Sequence, residues 1–361
     1  MKRIQKLFKH PSLFFRDYFN KRYPVVRNEI KCPEEEEYIL IKNDLMLESL
    51  MSNDFPIDVV FTWVDNTDPV WQSKFEKFKK ITYLAEGNYS QDESRFKNHD
   101  EIYYALKSIV KNLPWVNNIY IVTDAQQPRW INEFSNITII DHKDIIPQNY
   151  LPTFNSHVIE AFLHKIPSLS ENFIYFNDDV FVARPLPAGH FFKSNGIASL
   201  FISLKNINQM VNQGVQTPTL SASLRSIDLL ERDFQSTVNN PLVHTYVPLK
   251  KSMYEQVWKT YSEEIEVFLK NKFRNNNDLN LATFLVPWFT YFKGLAVQSR
   301  DICYYFNIRS PAARGVYSAL SQEKKRRFYP HSICANDFNS KNTALKDYDF
   351  LLKKNLNDLI E

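Results

Sequence analysis

Phe173-Ile174-Tyr175-Phe176 runs into Asn177-Asp178-Asp179 and then into Val180-Phe181-Val182, so two carboxylates and an amide stand inside an otherwise apolar segment. Burying that much polarity without partners is costly. A divalent cation or a substrate would offset the cost, since Mg²⁺ commonly takes one or two carboxylates together with substrate phosphates. The alternative is a turn between two strands held by Asx hydrogen bonds, and the apolar flanks count against it. Acids close other apolar runs too. Thr62-Trp63-Val64-Asp65-Asn66-Thr67-Asp68-Pro69 follows Ile57-Asp58-Val59-Val60-Phe61 and offers two carboxylates beside an indole that could stack on a ring, although a plain β-turn would use the same residues. Ile121-Val122-Thr123-Asp124 and Asp141-His142 end two more runs.

Among the cations, Arg95 precedes His99-Asp100-Glu101, where the acids suit a helix N-terminus and leave the arginine to hold an anion. Arg274 precedes Asp278, and Arg309 follows Tyr304-Tyr305-Phe306-Asn307-Ile308. An arginine ending an apolar run is a natural phosphate fork, with surface ion pairing as the commoner use. His244, in a loop before a helix, and His157, at a helix start, could move protons, because imidazole titrates near neutrality. A hydrogen-bonded structural histidine is the alternative for each.

These side chains need elements to hold them. Residues 57–61, 119–123, 137–140, 173–176 and 197–202 are short, apolar and β-branched, and read as buried strands. Helical periodicity fills Glu101 to Leu113 and Ser156 to Ile166. The alternation predicts an α/β fold with a mostly parallel sheet flanked by helices. In such a sheet, ligands sit beyond the carboxyl ends of the strands, where the acids above fall. An acidic linker, Glu34 to Glu37, and a short helix near Ile39 to Leu50 come before. From Asn206 onward the chain is more helical and polar, with helices over 251–271 and 279–292, and reads as a subdomain or lid. The expected division is a basic segment and linker over 1–53, an α/β core over 54–205, a helical subdomain carrying His244 and Arg274 over 206–295, and a part completing the core over 296–361.

Composition narrows the classes. With 361 residues, 44% hydrophobic and 24% charged, the chain has ample core material and disorder is excluded as its main state. Its six glycines are never closer than seven residues apart, so neither G-x-G-x-x-G nor a Walker A loop can be written. Any phosphate chemistry must use side chains, helix ends or a metal. Three widely spaced cysteines argue against a disulfide framework or zinc ribbon and fit a reducing compartment. No run is long enough to cross a membrane. Residues 1–31 hold nine Lys/Arg against two Asp/Glu, a net +7 interleaved with Phe and Leu, which suits either an interfacial membrane segment or a basic terminus packed on the body. The rest carries −4, which argues against a nucleic-acid-binding body.

Taken together, four blocks resemble the Stealth family of sugar-phosphate transferases. They are Ile57 to Asp65; Arg95-Phe96 through Leu113-Pro114-Trp115-Val116, Ile121 to Asp124 and Leu151-Pro152-Thr153-Phe154 to Phe176-Asn177-Asp178-Asp179; His244 to Phe292 with Arg274; and Ile308-Arg309-Ser310 with Ile333-Cys334-Ala335-Asn336-Asp337. The chain is also similar to the catalytic core of animal N-acetylglucosamine-1-phosphotransferase, without its large regulatory insertions. The resemblance implies a nucleotide-sugar transferase fold, Rossmann-like or GT-A-like. It implies transfer of a hexose 1-phosphate from a nucleotide sugar, UDP-N-acetylhexosamine foremost, to a hydroxyl of a growing glycan, with release of a nucleoside monophosphate, in bacterial capsule synthesis. By the resemblance, Asp179, His244 and Arg274 match functional positions of the animal enzyme. For the chemistry it implies, Asp178 and Asp179 are the first candidates to hold Mg²⁺ or Mn²⁺ and Asp337 a weaker one; His244 is the preferred general base, with Asp65 or Asp179 as the alternative; Arg274 and Arg95 are assigned to the diphosphate; and Trp63, Asp58, Asn177, Arg309 and Asn336 are candidate substrate contacts. The expected location is the bacterial cytoplasm, with peripheral contact to the anionic inner membrane or the capsule assembly machinery. A metal-dependent glycosyltransferase releasing a nucleoside diphosphate, and a non-catalytic carbohydrate-binding protein, are the competing readings.

Overall fold

The computed structural model describes residues 34–82, 96–215, 217–326, 329–338 and 345–360, together with residues 7, 8, 11, 12, 14, 15 and 18. The chain enters through helix Glu34–Glu48 (α1), strand Ile57–Thr62 (β1) and helix Pro69–Thr82 (α2), then Glu101–Asn112 (α3), Ile119–Thr123 (β2), Ile137–Asp141 (β3), Ser156–Ala161 (α4) and Asn172–Phe176 (β4). The four strands pair in parallel in the order β3-β2-β1-β4. Nearly every residue of β1, β2 and β4 is buried, as continuous apolar runs require where helices cover a parallel sheet. The expected α/β class and four of the five expected strands are therefore here; the fifth, 197–202, lies in a separate small sheet.

Past β4 the chain changes sheets. After Asn177-Asp178-Asp179, Val180–Val182 (β5) belongs to a second, three-stranded sheet. Its outer edge is closed by α3: Ser108 Oγ accepts from Val182 N at 3.0 Å, and Asn112 Nδ2 donates to Val182 O at 2.8 Å. Ala198–Phe201 (β6) follows, then helix Pro218–Phe234 (α5) and Val247–Lys250 (β7), which returns to the central sheet antiparallel to β4. Residues 206–295 thus supply an edge strand of the central sheet as well as helices. Lys251–Thr260 (α6) and Ser262–Phe268 (α7) divide the helix expected over 251–271 at the buried Tyr261. Residues 281–285 form a π turn that runs directly into Val286–Phe292 (α8), and Pro287, which has no N–H to give the ladder, stands just past that turn. Ala296–Ser299 (β8) pairs with β6, Cys303–Asn307 (β9) and Ser332–Asn336 (β10) complete the second sheet, and Ala313–Arg326 (α9) and Tyr348–Ile360 (α10) cover it.

Glu34 to Glu37 are the first turn of α1 rather than a linker, a position where acids complement the helix dipole. Ile41 of this helix is buried in the core with Leu40 and Leu45 packed beside it, and three of its acids also face the body: Glu37 accepts from the Tyr304 hydroxyl (2.7 Å), Asp44 from Arg300 (2.9 Å) and Glu48 from His190 Nδ1 (3.0 Å). Its apolar Ile39, Met46 and Leu47, and Leu50 just beyond its end, are 56%, 59%, 61% and 69% exposed. Contact is close enough that a Cβ on Gly189 would meet the Glu48 carbonyl oxygen at 2.1 Å. The inward acids reach a buried network in which His190 Nε2 bonds Asp301 (3.1 Å), and Asp301 also accepts from Tyr246 and Ser332. Burial alone would lower the His190 pKa, but the bonds to Asp301 and Glu48 outweigh it and raise it to about 9. His331, stacked on His190 at 4.9 Å, is lowered to about 3 by burial and by the charge on His190.

Because the folded pKa of His190 is raised, its stabilisation is complete below the unfolded value near ~6.5 and lost as pH rises through about 9. The contribution is on the order of 3 kcal/mol. The unfolding midpoint should fall between pH 7 and 10, and His190→Gln should lower stability throughout while flattening that fall, as read by thermal denaturation.

Candidate active site

The acid pair occupies the crossing between the sheets, at the carboxyl end of β4. β10 runs alongside β5 with Cys334 opposite Val180, so its residues face the crossing. Ala335 N donates to the Asp179 carbonyl at 3.0 Å, while Asn336 Nδ2 (3.0 Å) and Cys334 Sγ (3.4 Å) both donate to Asp179 Oδ2. Oδ1 of Asp179 is buried with no hydrogen-bond partner. β7 brings the third side: Val247 pairs with Tyr175, which sets the preceding loop and His244 beside the same crossing. A ring nitrogen of His244, Cys334 Sγ and an Asp179 carboxylate oxygen lie within 4.8 Å of one another. The His244 ring packs against Tyr305 at 5.1 Å.

A third carboxylate completes the site. Glu101, the first residue of α3, is 5% exposed and accepts from His99 N at 2.6 Å. Burial, and then the Asp178 and Asp179 carboxylates, push its pKa well above the usual range. Burial and then Asp179 raise Asp178 to about 7, against a smaller opposing effect of His99. Crowded, desolvated acids with an orphaned oxygen fit a divalent cation, which would remove the repulsion that raises these pKa values. Asp179, with its unpartnered oxygen, is the carboxylate that could hold one, and the charges of Asp178 and Glu101 are felt at the same place.

Around this centre, other charges are already spent. Arg309 forks onto both oxygens of Asp337, His99 Nε2 bonds the same carboxylate at 3.0 Å, and the guanidinium lies 4.5 Å over the Tyr348 ring. Burial would raise the Asp337 pKa, but the bonds from Arg309 and His99 outweigh it and lower it. The expectations for this pair are corrected: Asp337 has both oxygens engaged by cations rather than left for a metal, and Arg309 is an ion-pair partner rather than an open phosphate fork. His99 Nδ1 reaches Asp349 of α10 at 2.5 Å, tying the C-terminal helix to the loop before Glu101.

Arg274 differs, because its contacts are neutral: Nε to Ser156 Oγ (2.9 Å) and Nη1 to Thr219 Oγ1 (3.1 Å). Its loop is held by Asp278, fully buried, which accepts from Asn155 Nδ2 (2.9 Å), His157 Nδ1 (3.0 Å), Asn271 Nδ2 (2.8 Å) and Asn275 N (2.9 Å). His157 is therefore a structural histidine. Phe273, next to Arg274, stacks on Phe154 at 5.4 Å within a cluster that includes Trp71 and Phe75. The charge of Arg274 is felt at the Tyr175 phenol, on the strand that ends in the acid pair.

Two more expectations are corrected. Asp58 is fully buried near the start of β1, away from the carboxyl ends, and its carboxylate accepts from Asn117 Nδ2, Asn118 N and Ser170 N. It ties loops together at the opposite edge of the sheet. Trp63 is 7% exposed within the main core, so its faces are covered by protein rather than open to a substrate ring. Asp65 follows β1 at the correct end, where Oδ1 accepts from Thr67 N and Oγ1 and orders its own turn. Asn177 is half-buried in the crossing, its carbonyl accepting from Val180 N. Arg95 lies outside the described residues. Sequence reasoning treated Glu101 as a helix-start acid and counted Cys334 only for pairing. Their signals were local ones, an acid at the start of a strongly amphipathic helix and a cysteine two residues before Asn336, and neither shows its neighbours.

Two family models match the chain: Stealth protein CR1, conserved region 1, over residues 55–83, and Stealth protein CR2, conserved region 2, over 95–200. The chain is 60% identical to the capsular polysaccharide phosphotransferase LcbA of Aeromonas hydrophila over 95% of both chains, and 54% identical to that of Neisseria meningitidis over 99% of both. It is 36% identical to an exopolysaccharide phosphotransferase of Streptomyces coelicolor over 70% of this chain and 27% of the other. Among solved structures, an active-site mutant of LgtC aligns with 83% of this chain and 95% of its own at a TM-score of 0.44 and 11% identity.

Asp178→Asn removes one of the crowded charges. It should raise folded-state stability at pH 8 by on the order of 1 kcal/mol. Mg²⁺ should raise the wild-type unfolding midpoint and leave that of the variant nearly unmoved. A less stable variant, or equal shifts with Mg²⁺, would count against the cation site.

Proposed function

The chain belongs to the Stealth family and is a phosphotransferase of capsular polysaccharide synthesis, and on that premise we propose that it transfers a hexose 1-phosphate from a nucleotide sugar to a hydroxyl of a growing glycan. A UDP-linked N-acetylhexosamine is the leading donor. The acceptor oxygen attacks the phosphorus that bears the sugar, the bond from that phosphorus to the bridging oxygen of the diphosphate breaks, and a nucleoside monophosphate leaves. The anomeric C–O bond is untouched, so the sugar keeps its configuration. A glycosyltransferase would break that bond and release a nucleoside diphosphate.

The observation that carries this reading is the meeting of His244 and Asp179, two of the residues matched by the family resemblance, within 4.8 Å at the carboxyl end of β4. Phosphoryl transfer is mostly positioning and neutralisation of charge on phosphate oxygens. A divalent cation, Mg²⁺ or Mn²⁺, supplies part of that neutralisation when bound at Asp178 and Asp179. Arg274 supplies the rest. Its guanidinium is held by the hydroxyls of Ser156 and Thr219 and is proposed to bind the donor diphosphate, a role proposed for Arg95 as well. His244 takes the acceptor proton, with Asp65 or Asp179 as the alternative base. Asp65, at the same edge of the sheet, and Asn177 and Asn336, around Asp179, complete the proposed contacts.

The reaction is placed in the bacterial cytoplasm at the inner face of the membrane. No helix among the described residues is long and apolar enough to cross a bilayer. A net +7 in the first 31 residues and the outward apolar side of α1 support peripheral contact with an anionic surface. Wild-type protein should co-sediment with phosphatidylglycerol-containing vesicles more than with phosphatidylcholine ones, and Leu47→Glu with Leu50→Glu should reduce that difference.

The reaction itself is tested by incubating the protein with UDP-, GDP- and CMP-linked sugars, Mg²⁺ and a capsule oligosaccharide, and resolving the released nucleotide. Acceptor-dependent monophosphate from a diphosphate donor, with a phosphodiester ³¹P signal in the glycan, is expected. Diphosphate release would establish a glycosyltransferase instead. Asp179→Asn, His244→Ala and Arg274→Ala should each lose about a hundredfold or more in turnover while keeping their circular dichroism spectra.

A further inference from the structure

Asp179, His244 and Cys334 are an unusual set for an enzyme that needs only a hard cation. Mg²⁺ takes oxygen ligands in octahedral geometry and gains nothing from a thiol or an imidazole. A carboxylate, an imidazole and a thiolate together are donors for a borderline-soft ion, and Zn²⁺ binds all three types in tetrahedral sites. We propose that these three side chains form a second metal site, selective for Zn²⁺ and similar ions, whose occupation withdraws Asp179 and His244 from the transfer reaction.

Placement of the donors argues for it. Cys334 stands on the central strand of the second sheet, between Val180 and Tyr305. It is fully buried, yet its sulfur is directed at the Asp179 carboxylate rather than at the apolar core that usually receives a buried cysteine. Asp179 Oδ2 is held by Asn336 and by that thiol, which leaves Oδ1, buried and without a partner, as the oxygen for a cation. One carboxylate oxygen of Asp179, a ring nitrogen of His244 and the Cys334 sulfur fall within 4.8 Å of one another. Ligands of a tetrahedral zinc ion stand about 3.5 Å apart, so the set has roughly 1 Å to close. Binding releases the thiol proton, since thiolate is the ligand, and leaves the fourth position to water or a substrate oxygen.

The site also bears on regulation. Zinc-type ions outrank Mg²⁺ and Mn²⁺ at nitrogen and sulfur donors, so a low concentration could displace the chemistry that excess Mg²⁺ supports. This regulatory consequence rests on the proposed roles of Asp179 and His244; the binding site does not.

Co²⁺ titration of metal-free protein separates the two, because a thiolate bound to Co²⁺ gives a near-ultraviolet charge-transfer band whether or not the enzyme turns over. Wild-type protein should develop that band with visible bands of tetrahedral intensity, saturating at one equivalent and displaced by Zn²⁺. Cys334→Ser should lose the charge-transfer band, and Cys303→Ser should keep it. Absence of the band in wild type, or its survival in Cys334→Ser, would overturn the site. Transfer is then measured with Mg²⁺ in excess, as residual activity against added Zn²⁺ relative to each protein's own zinc-free rate. Inhibition in wild type that Cys334→Ser largely escapes is expected. A protein that shows the cobalt band but no zinc inhibition would retain the metal site and overturn the catalytic reading of Asp179 and His244 instead.

Discussion

The mutual repulsion of two adjacent carboxylates at the exit of a buried strand is the constraint around which the rest of this structure is arranged. Asp178 and Asp179 cannot be solvated like surface acids, because β4 is interior to the central sheet and β5 begins immediately after them. The chain answers by changing sheets at that point. The crossing lies between the carboxyl end of β4 on one side and β10 on the other, and three otherwise remote segments converge on it: the start of α3 with Glu101, the loop before β7 with His244, and β10 with Cys334 and Asn336. Ser108 and Asn112 of α3 close the free edge of β5, so the acid pair sits between two anchored strands.

The polar residues of the interior divide by whether their hydrogen bonds are complete. Asp278 has four donors, Asp337 has Arg309 and His99, and Asp301 has His190, Tyr246 and Ser332. These networks are satisfied and hold segments in place, which is what buried polar groups do when fully paired. Glu101 and Oδ1 of Asp179 are buried without equivalent compensation, burial and then Asp179 push the Asp178 pKa up, and among the described residues the Arg274 guanidinium meets the hydroxyls of Ser156 and Thr219. Uncompensated groups lower the stability of the folded chain and leave it able to bind charge, the exchange commonly met at active sites. The completed networks position the incomplete ones: Asp278 fixes the loop of Arg274, and His99 links Asp337 and α10 to the loop that leads into Glu101.

Helix α1 shows the same logic at the periphery. Its contact with the body combines buried Ile41 with carboxylates on Tyr304, Arg300 and His190, and it leaves Ile39, Met46 and Leu47 facing outward. A helix held by burial alone would keep such residues inward. The polar clasp fixes both the rotation of the helix and the face it offers, directly after the most basic stretch of the chain.

Much of this protein is legible in its sequence for reasons that are local. Strand and helix periodicity gave the α/β class and the four parallel strands, the scarcity of glycine excluded a phosphate-binding loop, and the acid pair stood out because its flanks are apolar. The order of four motif blocks was enough to suggest the family. What the sequence could not decide was which charged side chains meet one another, since a hydrogen bond across more than a hundred residues leaves no periodic trace. Asp337 and Arg309 looked like a ligand and a phosphate fork until the fold paired them with each other, and Asp58 was expected among the substrate contacts until its strand placed it at the opposite edge of the sheet. Glu101 and Cys334 looked like a helix-start acid and a spare thiol until tertiary structure brought them to the acid pair. Residue type and spacing fix what chemistry a chain can supply; only the packing of distant segments decides which groups are spent on one another and which remain for a ligand.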